Sequence, residues 1–267
     1  MLSVGVAFAL AGALCLAVKD FFSKKALKQC GEWDANFYIG LATFIISSAY
    51  VLFTGIPKIS QPTLFYGAIA GAGLSFGTYF FFKALKEERA SVIGPLASLW
   101  AVVAMIVAAF LFSTPISLGT IVGAILSFGA IAMISLMQHP RITASILLAV
   151  LIWGTAAFNA PVVEEAGAMG AIWIVSFFLT LFSLPGIRAK NPVPLAKLGV
   201  VNFVAQFFFI SSIPLLNVAV ASSLLMSSYF VFMVLGGALF FNEKISRKEA
   251  VLLAVVCLGI VIASAFR

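Results

Sequence analysis

A lysine and an aspartate stand side by side near the end of the first apolar run, in the stretch AVKDFFSKK. Charges inside a membrane are expensive unless they pair with each other or face a polar cavity. At 1.5 Å per helical residue, Lys19 lies about 26 Å from Leu2, close to the far edge of a bilayer core of about 30 Å. The pair is therefore either an anchor among the headgroups or the rim of a binding cavity. In a cavity, a zwitterion would place its ammonium near Asp20 and its carboxylate near Lys19.

Uncharged polar and aromatic side chains interrupt several other apolar runs. Gln206, for example, follows Asn202 by four residues and so lies on the same face of a predicted helix. Such groups either hold neighbouring helices together or line a cavity. The candidate substrate-binding residues are Lys19, Asp20, Tyr79, Ser98, Trp100, Trp153, Asn159, Gln206, Ser228 and Tyr229.

The composition places the chain in a membrane. Hydrophobic residues make up 63% of the 267 residues and charged residues only 9%, and the mean hydropathy is +1.17. A soluble domain carries about 25% charged residues. The net charge of +7 comes from short basic clusters between apolar runs. This pattern is typical of membrane loops and not of a surface that binds nucleic acid.

The sequence contains no motif that indicates catalysis. It has no glycine-rich lysine loop for ATP. The single histidine, His139, lies in a predicted loop, and the three cysteines, Cys15, Cys30 and Cys257, lack the spacing of a metal site. We expect a protein that is not an enzyme, uses no metal or cofactor, and draws any driving force from gradients or exchange.

Ten apolar segments are long enough to cross a bilayer as helices, which takes about 20 residues each. Helices are forced because unpaired backbone groups are costly in lipid, and the alternating pattern of a barrel is absent. The sequence thus predicts an all-α integral membrane protein with ten transmembrane helices. The segments are residues 2–22, 35–54, 63–85, 90–112, 115–137, 142–163, 168–187, 195–215, 218–241 and 249–266.

The positive charges are distributed unequally between the loops. Fourteen of the 16 lysines and arginines lie beside odd-numbered loops, whereas the even-numbered loops and the chain ends hold only Lys58 and Arg267. Because basic loops stay on the cytoplasmic side, the odd loops are predicted in the cytoplasm and both chain ends outside, in the cytoplasmic (plasma) membrane. Glu164 and Glu165 end the sixth segment, where they are either simply solvated or part of a gate or coupling device.

The chain also contains an internal repeat. Two stretches align without a gap at an offset of 130, which sets Ser98 against Ser228 and Gly129 against Gly259. A looser offset near 137 sets the Lys-Asp pair against residues well inside the sixth segment. Because each repeat has five helices, an odd number, the two copies enter the membrane from opposite sides. The predicted repeats are residues 1–138 and residues 139–267.

The last two segments resemble the closing helix pair of EamA-type proteins in the drug/metabolite transporter superfamily. Those proteins follow a helix rich in small residues with Gly-Glu-Arg-Leu-Ser/Thr and then a helix with a central glycine. Phe241-Asn242-Glu243-Lys244-Ile245-Ser246 fits with Asn for Gly and Lys for Arg, and Gly259 matches the central glycine. Trp153-Gly154 resembles the opening Trp-Gly of an EamA repeat. The first repeat departs from the pattern, with Ser113-Thr114-Pro115 in place of the acidic-basic pair.

The resemblance implies two inverted five-helix repeats that move a small molecule by alternating access through a mid-membrane cavity. It favours amino acids or related compounds as the substrate. The expected partners are this substrate and the lipid bilayer, with a coupling proton or an exchanged solute as a further partner, no nucleic acid, and a monomer or a homodimer as the working form. The family usually places both chain ends in the cytoplasm, opposite to the orientation that the loop charges predict.

Two alternatives stay open. A multidrug exporter of lipophilic cations would lose its export on Asp20→Asn but tolerate Lys19→Ala. A channel or scramblase would pass its substrate faster than about 10⁵ per second, beyond a transporter that cycles through μs–ms steps.

Overall fold

The computed structural model describes residues 2–88, 90–137, 144–184, 192–241 and 246–265, and no strand occurs within these ranges. A helix satisfies its own backbone donors and acceptors, which a membrane cannot do. The helices are α1 (Leu2–Ala26), α2 (Glu32–Thr54), α3 (Gln61–Glu87), α4 (Ala90–Ser98), α5 (Trp100–Phe112), α6 (Leu118–Met137), α7 (Ala144–Trp153), a 3-10 helix (Gly154–Phe158), α8 (Asn159–Ser183), α9 (Val193–Leu216), α10 (Val218–Phe241) and α11 (Arg247–Ala265).

Six helical stretches of the described chain are long and apolar enough to cross a membrane. One of them, Ala144–Ser183, has 40 residues. At 1.5 Å per residue it is about 60 Å long, twice the thickness of one bilayer core. Shorter apolar helices cover Leu96–Phe112, Leu118–Met133 and Ala250–Gly259. The all-α membrane fold is confirmed, while the count of ten crossings stays a prediction.

The 40-residue stretch breaks at Gly167, where the sequence predicts a loop between residues 163 and 168. Gly167 has φ 70° and ψ 172°, a conformation that is essentially confined to glycine because a β-carbon would clash with the backbone. A single residue therefore takes the place of the predicted loop and separates the two arms of the stretch.

Replacing Gly167 by alanine is expected to lower the thermal stability of the purified protein by the equivalent of about 1–3 kcal/mol. Apart from the adjoining backbone, no atom of the described residues lies within 4 Å of the added β-carbon, so the loss would come from the backbone alone. Gly129→Ala is the matched control, because its β-carbon also meets nothing within 4 Å but its backbone is helical. A Gly167→Ala protein that melts at the temperature of the control would contradict the assigned conformation.

The predicted helix 90–112 is divided at Leu99, which corrects the sequence-based boundary. Leu99 N donates to the Leu96 carbonyl at 3.2 Å, and Val102 N donates to the Leu99 carbonyl at 3.1 Å. These bonds span three residues in place of the four of an α-helix. An apolar pattern does not reveal such a break, because the arms on either side have the same composition.

Helices from the two halves of the chain pack against each other in matching pairs. α1 packs on α9, and α3 packs on α7, on the 3-10 helix and on α8. α2 packs on both α8 and α9, while α10 packs on α1, α4 and α5. α6 and α11 pack chiefly on each other. The interior of the bundle is therefore enclosed by α1 to α5 and α7 to α10.

The two ends of the bundle correspond to the two sets of predicted loops. At one end, Lys24 Nζ donates to the carbonyl of Glu88, and Lys86 Nζ lies 3.1 Å from Glu32 Oε1. These contacts bring the first and third loops together, and we call this end the odd-loop face. The opposite end, where α1 and α3 begin, is the even-loop face.

Candidate substrate-binding cavity

A cavity with a largely apolar lining and several polar side chains lies in the middle of the bundle. The space open to the centres of water-sized molecules is about 90 Å³, several times the roughly 10–15 Å³ that one water requires. A small molecule, and not a peptide, fits such a space. The polar and aromatic lining residues are Lys19, Asp20, Asn36, Thr78, Phe82, Trp100, Trp153, Thr155, Asn159, Asn202, Gln206, Phe209 and Tyr229.

Lys19 and Asp20 form a buried ion pair in this lining. Lys19 Nζ lies 2.9 Å from Asp20 Oδ1, and the two side chains are only 8% and 3% exposed. Tyr229 OH donates to Asp20 Oδ2 at 2.8 Å, and the ammonium lies 5.8 Å from the centre of the Phe82 ring. Because α1 extends to Ala26, about 10 Å beyond Lys19, the pair lies deeper than a helix end at residue 22 predicts.

The depth of the pair changes the count of loop charges. Lys19 belongs to the cavity, so thirteen basic residues and not fourteen remain beside the odd-numbered loops. The asymmetry between the two faces is still strong. Lys19 Nζ contacts Asp20 Oδ1 at hydrogen-bonding distance, and a carboxylate oxygen has room for a second donor. It retains the capacity to accept a bond from a bound molecule.

The break between α7 and α8 supplies two further unpartnered polar atoms. Trp153 Nε1, a donor, and Asn159 Oδ1, an acceptor, are buried without a hydrogen-bond partner in the described part of the chain. Asn159 Nδ2 donates to the Ala156 carbonyl at 2.9 Å, so the amide is held in place while its oxygen stays free. Each unsatisfied group costs about 1–3 kcal/mol. A bound molecule with its own donor and acceptor would satisfy both.

Two glycines of α3 allow this helix to pack closely against the break between α7 and α8. A β-carbon at Gly77 would lie 2.3 Å from Trp153 Cδ1, and one at Gly73 would lie 1.8 Å from Thr155 Oγ1. Both distances are far below van der Waals contact. Only glycine allows α3 to approach this closely, and the approach fixes the position of the indole ring.

A smaller chamber beside the main cavity shares Asn159, Asn202 and Gln206 with it. Its space of about 10 Å³ matches a single water. Asn202 Nδ2 donates to Thr43 Oγ1 at 3.1 Å. The amide side chains thus extend the hydrogen-bonding surface of the cavity towards α2.

The structure brings seven of the ten predicted site residues into the lining and leaves three outside it. Tyr79 stacks on Trp33 with the ring centroids 4.4 Å apart. Ser98 Oγ donates to a carbonyl one turn earlier at 3.0 Å, and Ser228 is buried away from the lining. Successive helical residues diverge by about 100°. Thr78 therefore faces the cavity, whereas its neighbour Tyr79 does not.

Four polar lining residues lie outside the predicted set: Asn36, Thr78, Thr155 and Asn202. Each interrupts an apolar segment, which is the same signal that selects the predicted residues. Asn36 Nδ2 donates to the Ser75 carbonyl at 2.7 Å and so also links α2 to α3. The sequence shows that these residues are polar, but only the packing shows which of them face inwards.

Some residues used in the sequence analysis lie outside the described ranges, among them His139 and the stretch 242–245. Within the described ranges, no group of three or more His, Cys, Asp or Glu side chains is placed to hold a metal ion.

An all-helical bundle around a small central cavity is an arrangement in which membrane transporters hold their substrates. The model of the EamA-like transporter family matches residues 3–136. The chain belongs to this family, as the closing helix pair and Trp153-Gly154 predict. A curated protein of Archaeoglobus fulgidus, named "Uncharacterized transporter", is 23% identical over 268 residues and covers 96% of both chains. A solved structure described as "Crystal structure of protein" is 16% identical, covers 98% of both chains and has a TM-score of 0.69, a likeness of fold alone.

Proposed function

We propose that this protein is a secondary transporter of amino acids or closely related zwitterions, which bind in the central cavity. The observation that carries the proposal is the buried Lys19–Asp20 pair in the same cavity lining as the unpartnered Trp153 Nε1 and Asn159 Oδ1. The pair offers one charge of each sign, so a zwitterion meets a partner for its ammonium at Asp20 and for its carboxylate at Lys19. Buried charges are retained where they bind something, because burial is otherwise unfavourable.

The same pair explains why the substrate should carry both charges. A substrate with a single charge would take one member of the pair and leave the other buried without a partner, which is strongly unfavourable. A zwitterion replaces both contacts at once and keeps the site neutral. The small volume of the cavity fits a molecule of amino-acid size.

The packing supports two inverted repeats, residues 1–138 and residues 139–267, as the moving units. The contact of α1 with α9 has its counterpart in the contact of α3 with α7 and α8, and α6 pairs with its counterpart α11. The family match over residues 3–136 covers the first unit. The cavity lies where the two units meet, so a rocking motion between them would expose it to each side in turn.

Counterflow into proteoliposomes tests the proposal. Vesicles loaded with one unlabelled amino acid at a time are diluted into labelled amino acid, and saturable accumulation is expected for at least one member of the panel. Vesicles without protein are the control. If no member of the panel is exchanged, the substrate assignment is wrong. Flux above about 10⁵ per second would indicate a channel instead.

A second candidate, the export of lipophilic cations, is favoured by the aromatic part of the lining. Phe82, Trp100, Trp153 and Phe209 face the cavity, and aromatic faces attract cations. The Lys19→Ala variant separates the two functions. A zwitterion transporter is expected to lose transport with this change, whereas a cation exporter is expected to keep it.

The loop charges support an orientation with the odd-loop face in the cytoplasm of a plasma membrane. Lys58→Cys and Lys28→Cys form a matched pair, since both side chains are exposed and lie on opposite faces. A membrane-impermeant maleimide is expected to label the first and not the second in intact cells. The reverse pattern would establish the family's usual orientation.

A further inference from the structure

At the even-loop face, the exposed side chain of Glu165 forms a carboxylate clamp on the start of α3. Ser60 N donates to Glu165 Oε1 at 2.7 Å, and Ser60 Oγ donates to Glu165 Oε2 at 2.7 Å. Thr63 Oγ1 donates to the same Oε2. One carboxylate thus receives three hydrogen bonds from the first turn of α3, in contrast to the simple solvation that the sequence allows for Glu165. The clamp ties the first half of the chain to the second.

An aromatic layer next to the cavity lining joins the same two parts of the chain. Tyr66, Phe112 and Phe158 contact one another, with ring centroids 5.3 to 6.0 Å apart. The three rings come from α3, α5 and the 3-10 helix. The three half-buried rings fill the space between these elements, and the Tyr66 hydroxyl is their one polar group.

The clamp and the cavity stand in register on both elements that carry them. On α3, Thr63, Tyr66 and Ala70 are spaced by three and four residues and lie on one face. Ala70 lines the cavity about 10 Å from Thr63. On the facing element, Asn159 lines the cavity about 9 Å from Glu165. The clamp therefore lies at a similar distance from the cavity on both elements.

Next to the clamp lies the backbone break at Gly167. Its glycine-only conformation gives the chain a point where one arm can turn against the other. Beyond the break, a β-carbon at Gly170 would lie 3.6 Å from Pro57 Cβ, in the loop before α3. The closed face is thus held on both sides of the hinge, by Glu165 before it and by the Pro57–Gly170 contact after it.

We propose that these residues form the gate of the even-loop face, with Glu165 as its latch and Gly167 as its hinge. The gate rests on the proposed transport function, since it would admit or release the substrate of the central cavity. When the hydrogen bonds of Glu165 break, the start of α3 separates from α8 and the aromatic layer parts. Glu165 is a positioning residue, because it holds the gate and does not contact the cavity.

A reversible cross-link tests the gate. A β-carbon separation of 3.6 Å lies within the range of a disulfide, about 3.5–4.5 Å, so Pro57→Cys with Gly170→Cys can lock the face closed. The new β-carbon at position 170 would also lie 2.9 Å from Ala166 Cβ, so Ala166→Gly is introduced in every variant and in the control. The native thiols are removed first, although burial and the nearby Asp34 raise the pKa of Cys30 to about 11 and make it a poor competitor. Oxidation is expected to reduce counterflow to the level of empty vesicles, and dithiothreitol is expected to restore it. Each single-cysteine variant should be indifferent to oxidant.

A second readout needs no substrate and judges the gate even if no amino acid is exchanged. Ala156→Cys places a thiol in the cavity lining. Adding Glu165→Gln is expected to raise its labelling by an impermeant maleimide from the even-loop side several-fold, with intact cells and inverted vesicles used to present each face. Unchanged labelling would overturn the gate. Counterflow that persists in a fully cross-linked protein, or cysteines that fail to cross-link, would also overturn it.

Discussion

Asp20→Asn is expected to abolish amino-acid counterflow. The carboxylate is the only acidic group in the described lining of the cavity, and a hydrogen bond to a charged group contributes about 1.5–3 kcal/mol. Its loss corresponds to about a 10- to 150-fold weaker interaction with the substrate ammonium. The change also leaves the Lys19 ammonium buried without its partner, which destabilises the fold by about 3–5 kcal/mol. Counterflow and thermal melting of the same preparation measure the two effects.

The double variant Lys19→Gln with Asp20→Asn separates binding from folding. It removes both charges together, so most of the lost stability is expected to return. Transport is expected to stay absent, because neither end of a zwitterion finds its charged partner. A double variant that regains both stability and transport would show that the pair serves only to hold α1 in place.

Gly77→Ala is expected to impair substrate binding, although Gly77 does not line the cavity. The new β-carbon would lie 2.3 Å from Trp153 Cδ1 and 2.5 Å from its Nε1, so either the indole ring is displaced or α3 moves away. Overpacking of this kind costs about 1–3 kcal/mol. The loss of the Trp153 donor is expected to slow counterflow by about tenfold, since one hydrogen bond contributes up to about 1.5 kcal/mol.

Gly129→Ala, a glycine substitution in α6 with open space around the new carbon, is the matched control. It should leave transport unchanged and raise stability by about 0.5–1 kcal/mol, as alanine does inside a helix. Adding Trp153→Leu to Gly77→Ala should relieve the clash and recover stability without recovering transport. If Gly77→Ala alone transports at the rate of the unmodified protein, the indole does not take part in binding.

The class of fold could be predicted because composition alone decides it. Long apolar segments with few charges have no stable alternative to helices in lipid, and the boundaries of α2, α3, α9 and α10 follow from polar residues and prolines at their ends. The breaks at Leu99 and at Gly154–Phe158 could not be predicted. They depend on contacts between helices, such as the approach of Gly77 to Trp153, and not on local composition.

The candidate site was predictable in its chemistry and less so in its geometry. Charged and amide residues inside apolar segments point to a cavity, and most of the chosen residues line it. The choice between neighbours, as at Thr78 and Tyr79, depends on about 100° of helix rotation that the sequence does not specify. The sequence also does not show how deep Lys19 and Asp20 lie, because α1 ends four residues beyond the predicted segment 2–22.

The most direct test of the central claim is a structure of the protein determined with the amino acid that exchanges fastest. Ligand density is expected in the central cavity, reaching from Asp20 to Trp153 Nε1 and Asn159 Oδ1, with the carboxylate of the ligand near Lys19. Density elsewhere in the bundle, with the Lys19–Asp20 contact intact and the cavity empty, would contradict it.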